Sequence, residues 1–151
     1  MSANRPVEIR PLAPSDREAW QPLFEAYIRF YESELPKDQY EITWSRFHDP
    51  AEPMHALGAF DDGKLVGIVH ALFHRSTWLP DTTCYLQDLY VDDSQRGRGV
   101  GEALIEKVAL LARDKNAGRL YWLTQEKNDA ARRLYDRVAV APGFIQYRKP
   151  L

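Results

Sequence analysis

Residues Arg96-Gly97-Arg98-Gly99-Val100-Gly101 place three glycines in five positions, at the junction between an apolar run and a long helical pattern. No other segment constrains the fold as tightly, because a strand must run into this junction and a helix must leave it. Upstream, Cys84 to Val91 reads as a strand. Downstream, Val100, Leu104, Val108 and Leu111 form one stripe, with Ile105, Ala109 and Ala112 beside it and Glu102, Glu106 and Lys107 outside. Glycines let the backbone approach a ligand without Cβ obstruction. Free N–H groups at a helix start, with the helix dipole, attract an anion, and Arg96 and Arg98 add positive charge. A flexible turn with two solvated arginines is the competing reading. Two familiar phosphate loops are excluded by spacing: a dinucleotide-binding fingerprint needs a glycine where Glu102 stands, and a Walker loop needs Gly-Lys-Ser/Thr.

The remaining elements fall around this junction. Val7 to Leu12 alternates and reads as a short edge strand, after which Ser15 or Asp16 is expected to cap a helix. Trp20, Leu23, Phe24, Tyr27, Phe30 and Tyr31 recur at spacings of three and four, and a shorter helix carrying Trp44 and Phe47 ends before Pro50. HALGAF and KLVGIVHALFH flank Asp61-Asp62-Gly63, a strong hairpin signal. After the glycine-opened helix, which is expected to end near Gly118, Leu120 to Thr124 is read as a strand. A helix with Ala131, Leu134, Tyr135 and Val138 follows, and Phe144 to Arg148 is the last expected strand. No repeat, low-complexity tract or linker interrupts the chain, so residues 1–151 are expected to form one domain.

Composition limits the partners. The chain has 151 residues, 44% hydrophobic and 28% charged, with a formal net charge of -2. No global basic field exists to draw in nucleic acid or an anionic membrane, so any anion site must be local. A lone cysteine, Cys84, cannot close an internal disulfide and is read as a small buried apolar residue. No early stretch reads as a secretion signal and no apolar run approaches the roughly 20 residues of a membrane span. A soluble, cytoplasmic protein is therefore expected.

R-x-x-G-x-G after a strand reading YLQDLYVDD resembles the coenzyme-A signature of the GCN5-related N-acetyltransferase (GNAT) family. WLTQEKNDAARRLYDRV carries Asn128, Ala131, Leu134 and Tyr135 in the order of that family's second coenzyme-A segment. The resemblance runs over roughly the whole chain and is closest to the fungal histone and polyamine acetyltransferase-like subgroup. It implies an α+β fold, with a mostly antiparallel sheet of six to seven strands, a splayed parallel pair and about four flanking helices. It implies acetyl-CoA as co-substrate, no metal, a small-molecule or peptide amine as acceptor, and a homodimer.

The resemblance also assigns roles. Leu89, Tyr90 and Val91 would offer backbone to the pantetheine arm, with the Leu89 N–H as oxyanion donor. Arg96, Gly97, Arg98, Gly99, Val100 and Gly101 would hold the pyrophosphate. Asn128 and Ala131 would contact the pantetheine, and Tyr135 would protonate the departing thiolate. The reaction is then direct attack by an amine in a ternary complex.

Two departures stand out. Many family members carry a glutamate on the strand before the loop, whereas the two same-face positions here are Tyr85 and Gln87; Asp88 is expected on the other face unless a bulge re-aims it. The base is therefore open between water and an Asp88 or backbone relay, and an acyl-CoA-binding sensor with weak catalysis is the alternative function. Residues Val138 to Pro142 also intervene before Gly143-Phe144, which implies a C-terminal edge that is extended or swapped between subunits. Tyr27, Tyr31, Glu34 and Tyr85 are the candidate acceptor-binding residues, since aromatic faces and carboxylates suit a cationic amine. His70 and His74 share a strand face but stand about 13 Å apart along it, so no metal site is expected.

Overall fold

The computed structural model describes residues 6–151. Its sheet has five strands in spatial order: β1 (Glu8–Pro11), β2 (Met54–Asp61), β3 (Lys64–Arg75), β4 (Thr82–Val91) and β5 (Ala117–Tyr121). Neighbours are antiparallel except β4 and β5, which are parallel. Four helices flank it, α1 (Arg17–Phe30), α2 (Lys37–Phe47), α3 (Val100–Asp114) and α4 (Asp129–Val138). The fold is thus the expected α+β arrangement with a parallel pair, with fewer strands than the expected six to seven.

Two apolar layers sandwich the sheet. One packs Val100, Leu104, Ile105 and Val108 of α3 against Val66, Val69, Ala71, Cys84 and Leu86, with Leu134 and Tyr135 of α4 beside them. The other packs Trp20 and Phe24 of α1 and Tyr40 and Trp44 of α2 against Ala56, Phe60 and Ile68. Side chains alternate between these layers along each strand, so a residue's phase in its strand decides which layer it joins. The β2–β3 hairpin turns at Asp62 (φ 52°) and Gly63 (φ 81°), and two successive positive φ values are what a tight two-residue hairpin requires.

Several local expectations are corrected. Of the two expected caps, Asp16 occupies the N-cap position of α1 after a 3-10 turn, but its carboxylate makes no cap bond and instead accepts from the Ala13 N–H (2.6 Å) and the Arg10 guanidinium (2.7 Å). That guanidinium holds the Asp16 carboxyl below the usual carboxylate range. α3 stops at Asp114, and Gly118 lies inside β5 rather than ending the helix; the reversal occurs at Asn116, with φ 59°. The strand expected at Leu120–Thr124 runs instead over Ala117–Tyr121, because β4 diverges beyond the Tyr85–Tyr121 pair and leaves Trp122 to Thr124 nothing to bond. Phe144 to Arg148 forms no strand. After α4 the chain leaves the sheet through Pro142 and Gly143 (φ 91°), with Phe144 86% and Tyr147 89% exposed.

Candidate active site

β4 carries the site. Its pairing with β5 covers only Thr82 to Tyr85. From Leu86 to Val91 the edge facing away from β3 has no ladder. The Asp92 N–H donates to the Val66 carbonyl (2.8 Å), so Tyr90, two residues before it, also turns its backbone groups toward β3; of the three residues expected to meet the pantetheine, Leu89 and Val91 face the splay and Tyr90 does not. At the apex, the Tyr85 and Tyr121 rings stack (4.9 Å, 14°). The Tyr121 hydroxyl donates to His74 Nε2 (2.8 Å), since His74 Nδ1 is committed as donor to the Arg75 carbonyl (2.8 Å).

On β3, His70 pairs with Asp88 and the next residue, Ala71, pairs with Leu86, so Gln87 is an extra residue in β4. This bulge resets the alternation. Leu86 and Leu89 face α3, while Tyr90 faces α1, and Asp88 moves onto the α1 side with it. Gln87 is exposed and Asp88 half-buried. The expectation that Gln87 shares the working face while Asp88 points away is therefore reversed, by the bulge that would be needed to do so. Tyr27 of α1 donates to the Gln87 carbonyl (3.3 Å) and pins the bulge.

The expected acceptor residues now separate. Tyr27 and Tyr31 lie against Asp88: burial, and then the carboxylate's charge, push both phenols upward. Burial is also the main cause at Tyr85, with the Asp88 charge second. Tyr31 further faces Asn128 and is an electrostatic neighbour of Tyr135, so α1, β4 and α4 converge on one cluster. Glu34 does not join it; it is exposed after α1, and its charge is felt at Tyr40.

Tyr135 is half-buried on α4, its ring edge-on to Trp122 (5.4 Å, 63°). Burial, with a smaller contribution from Tyr31, pushes its phenol up to about 12. Such a hydroxyl stays protonated at neutral pH and can serve as an acid. Asn128 caps α4, its side chain accepting from the Ala131 N–H (3.3 Å). That bond commits the N–H of Ala131, a residue expected to contact the pantetheine.

In the glycine loop, Gly97 (φ 77°) and Gly99 (φ 74°) both adopt the left-handed conformation, and nothing lies within 4 Å of a Cβ added at either. Their outer face is open backbone. Helix geometry leaves the Val100, Gly101 and Glu102 N–H groups without intrahelical acceptors. The Val100 side chain is buried in the α3 core, so only its backbone faces the loop. Gly101 backs onto Leu134 of α4, 3.5 Å from where a Cβ would sit. The two arginines differ. Arg98 is bonded to Asp61 (3.1 Å) and Gln95 (2.5 Å), tying the loop to the β2–β3 turn, whereas Arg96 pairs with Asp93 (2.8 Å) at an exposed site.

The sequence reading missed His70 and Trp20 as parts of this site. The available signal was a histidine in the middle of an otherwise apolar strand, which must find partners. Cys84 is fully buried and burial pushes its thiol up to about 11, which fits the apolar reading and not a nucleophile. A concavity of about 480 Å³ between Phe47, His55, Phe73 and Lys115 lies apart from the splay. Among the described residues no group of metal-ligating side chains assembles and no helix is long and apolar enough to cross a membrane.

The family model described as "Acetyltransferase (GNAT) family" matches residues 20–139, spanning the bulge, the loop and α4. The chain belongs to this acetyltransferase family. The GNAT chain is 32% identical, over 148 residues, to the D-amino-acid N-acetyltransferase HPA3 of Saccharomyces cerevisiae, covering 97% of this chain and 92% of that one. It is 36% identical over 85 residues to the thialysine N-epsilon-acetyltransferase of Bos taurus, covering 56% and 49%. The solved ribosomal-protein-alanine N-acetyltransferase of Brucella melitensis biovar Abortus 2308 superposes with a TM-score of 0.80 at 24% identity, over 97% of this chain and all of the other, and shares its fold.

The residues fit an acyl-coenzyme A. The open edge of β4 offers strand-like bonding to an amide-bearing arm, and the left-handed glycines present backbone without side chains. On the wall past β5, Thr124 Oγ1 is buried without a hydrogen-bond partner among the described residues.

Proposed function

We propose that this GNAT enzyme transfers an acetyl group from acetyl-CoA to the primary amine of a small molecule, by direct attack in a ternary complex. The observation that carries the reading is the bulge at Gln87, which brings Asp88 into one cluster with Tyr27, Tyr31 and Tyr135 beside the open edge of β4.

An amine with a reference pKa of about 10.4 arrives mostly protonated. Asp88 and the surrounding phenol rings suit such a cation electrostatically. Asp88 first takes one proton from the ammonium, directly or through one water, and passes it to solvent. The free amine then attacks the thioester carbonyl, the Leu89 N–H steadies the developing oxyanion, and the second nitrogen proton leaves to Asp88 as the adduct collapses. The C–N bond forms and the C–S bond breaks. Tyr135 gives its proton to the leaving sulfur and regains one from solvent. Arg96 to Gly101 hold the pyrophosphate through backbone N–H groups and the Arg96 charge. Asn128, while capping α4, lines the same cleft.

The acceptor remains a primary amine of the polyamine or lysine type. Relatives named for D-amino acids and thialysine favour a free amino-acid-like amine over a protein side chain. The sensor alternative rested on Gln87 standing where an acid belongs, and Asp88 in that place removes its support. We further propose a cytoplasmic homodimer, in which the exposed apolar residues Val140, Phe144, Ile145 and Tyr147 after α4 pack against a second copy. A monomer by light scattering overturns that part.

The test of the activity is incubation with acetyl-CoA and a panel of polyamines, D- and L-amino acids, lysine analogues and peptides, reading thiol release and product mass. Thiol release with none of these amines overturns the reading. In the active pair, Tyr135→Phe should lower kcat on the order of 100-fold while leaving acetyl-CoA affinity within a few-fold. Because the Tyr135 phenol is pushed up to about 12, its ionisation should cause no loss of rate on the alkaline side until pH approaches that value. Equal losses in kcat and affinity would make Tyr135 structural.

A further inference from the structure

His70 is the most enclosed ionisable side chain on the α1 side of the sheet, 1% exposed, yet the acetyl-transfer steps do not use it. Its ring is walled by Phe24 (4.8 Å), Phe47 (4.7 Å) and Trp20 (6.0 Å). Both ring nitrogens are nevertheless engaged. The Trp20 Nε1–H lies 2.9 Å from Nε2, and Asp88 Oδ2 lies 2.8 Å from Nδ1.

The chemistry of the indole decides the proton's position. An indole N–H can only donate, so Nε2 must present its lone pair. The proton of the neutral ring is then on Nδ1 and points at Asp88. An imidazolium would set an Nε2–H against the Trp20 N–H, two donors face to face inside an aromatic enclosure with no acceptor between them. Trp20 thereby fixes the Nδ1–H tautomer of the ring. That matters to Asp88, because a cation at 2.8 Å would compete for the charge that must receive the amine proton, whereas a neutral N–H fixes the carboxylate's orientation and leaves it anionic.

We propose that Trp20 and His70 form a buried positioning device, in which the indole fixes the histidine tautomer and the histidine fixes Asp88 at the bulge, keeping the carboxylate oriented and uncompensated. The proposal rests on Asp88 as the base. Trp20 sits on α1, 50 residues before His70, and the same helix supplies Tyr27 to the Gln87 carbonyl. One helix thus sets both the backbone bulge and the side chain it presents. The other ionisable groups facing Asp88 are phenols: Tyr27 and Tyr31 from α1 and Tyr85 on β4, with Tyr135 of α4 beyond Tyr31. Burial pushes all of them upward, so none supplies charge between pH 5 and 8. From α2, Phe47 faces His70 and does not titrate.

The direct measurement is the His70 tautomer in the full-length protein, by long-range 15N–1H correlation spectra between pH 5 and 8. A protonated Nδ1 with a bare Nε2 throughout is expected; an Nε2–H tautomer, or a ring that becomes doubly protonated in this range, overturns the proposal. Trp20→Phe keeps an aromatic ring but removes the donor. In that variant His70 should titrate, and the acidic limb of the kcat/KM profile should move to higher pH, because activity then also requires a neutral His70. An unshifted profile in a folded Trp20→Phe variant overturns the proposal. His70→Asn, which can still offer an N–H near the Nδ1 position, should retain roughly tenfold more kcat than His70→Leu, with acetyl-CoA KM alike in both; equal kcat in the two overturns it. Asp88→Asn separates the two ideas. If it leaves kcat unchanged, the base assignment falls, while the tautomer spectra still report whether the Trp20–His70 lock exists.

Discussion

The two walls of the cleft are built in opposite ways. The donor wall, from the open edge of β4 through Arg96–Gly101 into α3, is continuous in sequence and made mostly of backbone: unpaired strand edge, left-handed glycines and helix-start N–H groups. The acceptor wall is made of side chains drawn from α1, β3, β4 and α4, and only packing brings Trp20, Tyr27, His70, Asp88 and Tyr135 together. A wall made of local backbone binds whatever shares the coenzyme's common parts, so it suits a donor used by a whole family. A wall assembled at long range can change with a single substitution on any one element, so it suits acceptors that differ between relatives. Mutations on the two walls should accordingly split between kcat and the acetyl-CoA KM.

The largest expected effect lies on the acceptor wall. Asp88→Asn preserves shape and can still accept from the His70 Nδ1–H, so the bulge should survive. The variant loses only the capacity to take a proton, and kcat should fall about 100- to 10,000-fold with little change in acetyl-CoA KM. Steady-state kinetics with the acceptor identified in the amine panel measures it. A variant within threefold of wild type would move the base elsewhere and reduce the acceptor wall to a binding surface.

The donor wall should respond in the other parameter. Gly99→Val forces a β-branched residue to φ 74°, a left-handed conformation that disfavours L side chains by roughly 1–2 kcal/mol. Space is not the obstacle, since nothing lies within 4 Å of the added Cβ. Relaxing that strain means turning the α3 N-terminal N–H groups away from the pyrophosphate, so acetyl-CoA KM should rise about tenfold while kcat at saturation stays within a few-fold. A fall in kcat with unchanged KM would show that the loop acts on chemistry and would break the distinction between the walls.

What was legible in the sequence follows the same division. The hairpin at Asp62-Gly63, the left-handed glycines and the α3 stripe are each specified within a few residues, and each appears where the local pattern put it. The phase of Asp88 is not local. An extra residue in a strand leaves no composition mark, since Gln87 is neither glycine nor proline, and the bulge exists because His70 and Ala71 on β3 choose Asp88 and Leu86 as partners. His70 was legible as a residue but not as a role, which depends on an indole 50 positions upstream. Phe144 to Arg148 is read as a strand from the sequence; a strand also needs an edge to join, and after Pro142 and Gly143 the chain is carried away from β5.

The smallest effects separate the two arginines of the loop, which composition alone treats as equivalent. Arg98 is largely covered and holds Asp61 and Gln95, so Arg98→Ala leaves the buried Gln95 side chain short of a partner and loosens the loop from the β2–β3 turn. Its cost should appear in thermal or denaturant unfolding, about 1–2 kcal/mol, and in acetyl-CoA KM as a secondary result. Arg96 makes an i,i+3 pair with Asp93 in which both side chains are 76% exposed, and such pairs contribute about 0–1 kcal/mol. Arg96→Ala should leave unfolding within about 0.5 kcal/mol yet still raise acetyl-CoA KM a few-fold, with an effect that shrinks as salt is added, because in the proposed site its charge would act on the pyrophosphate through solvent. If Arg96→Ala destabilises the protein as much as Arg98→Ala, the loop is held by both arginines. If neither changes KM, the backbone N–H groups alone hold the phosphate end, and the donor wall owes nothing to side-chain charge.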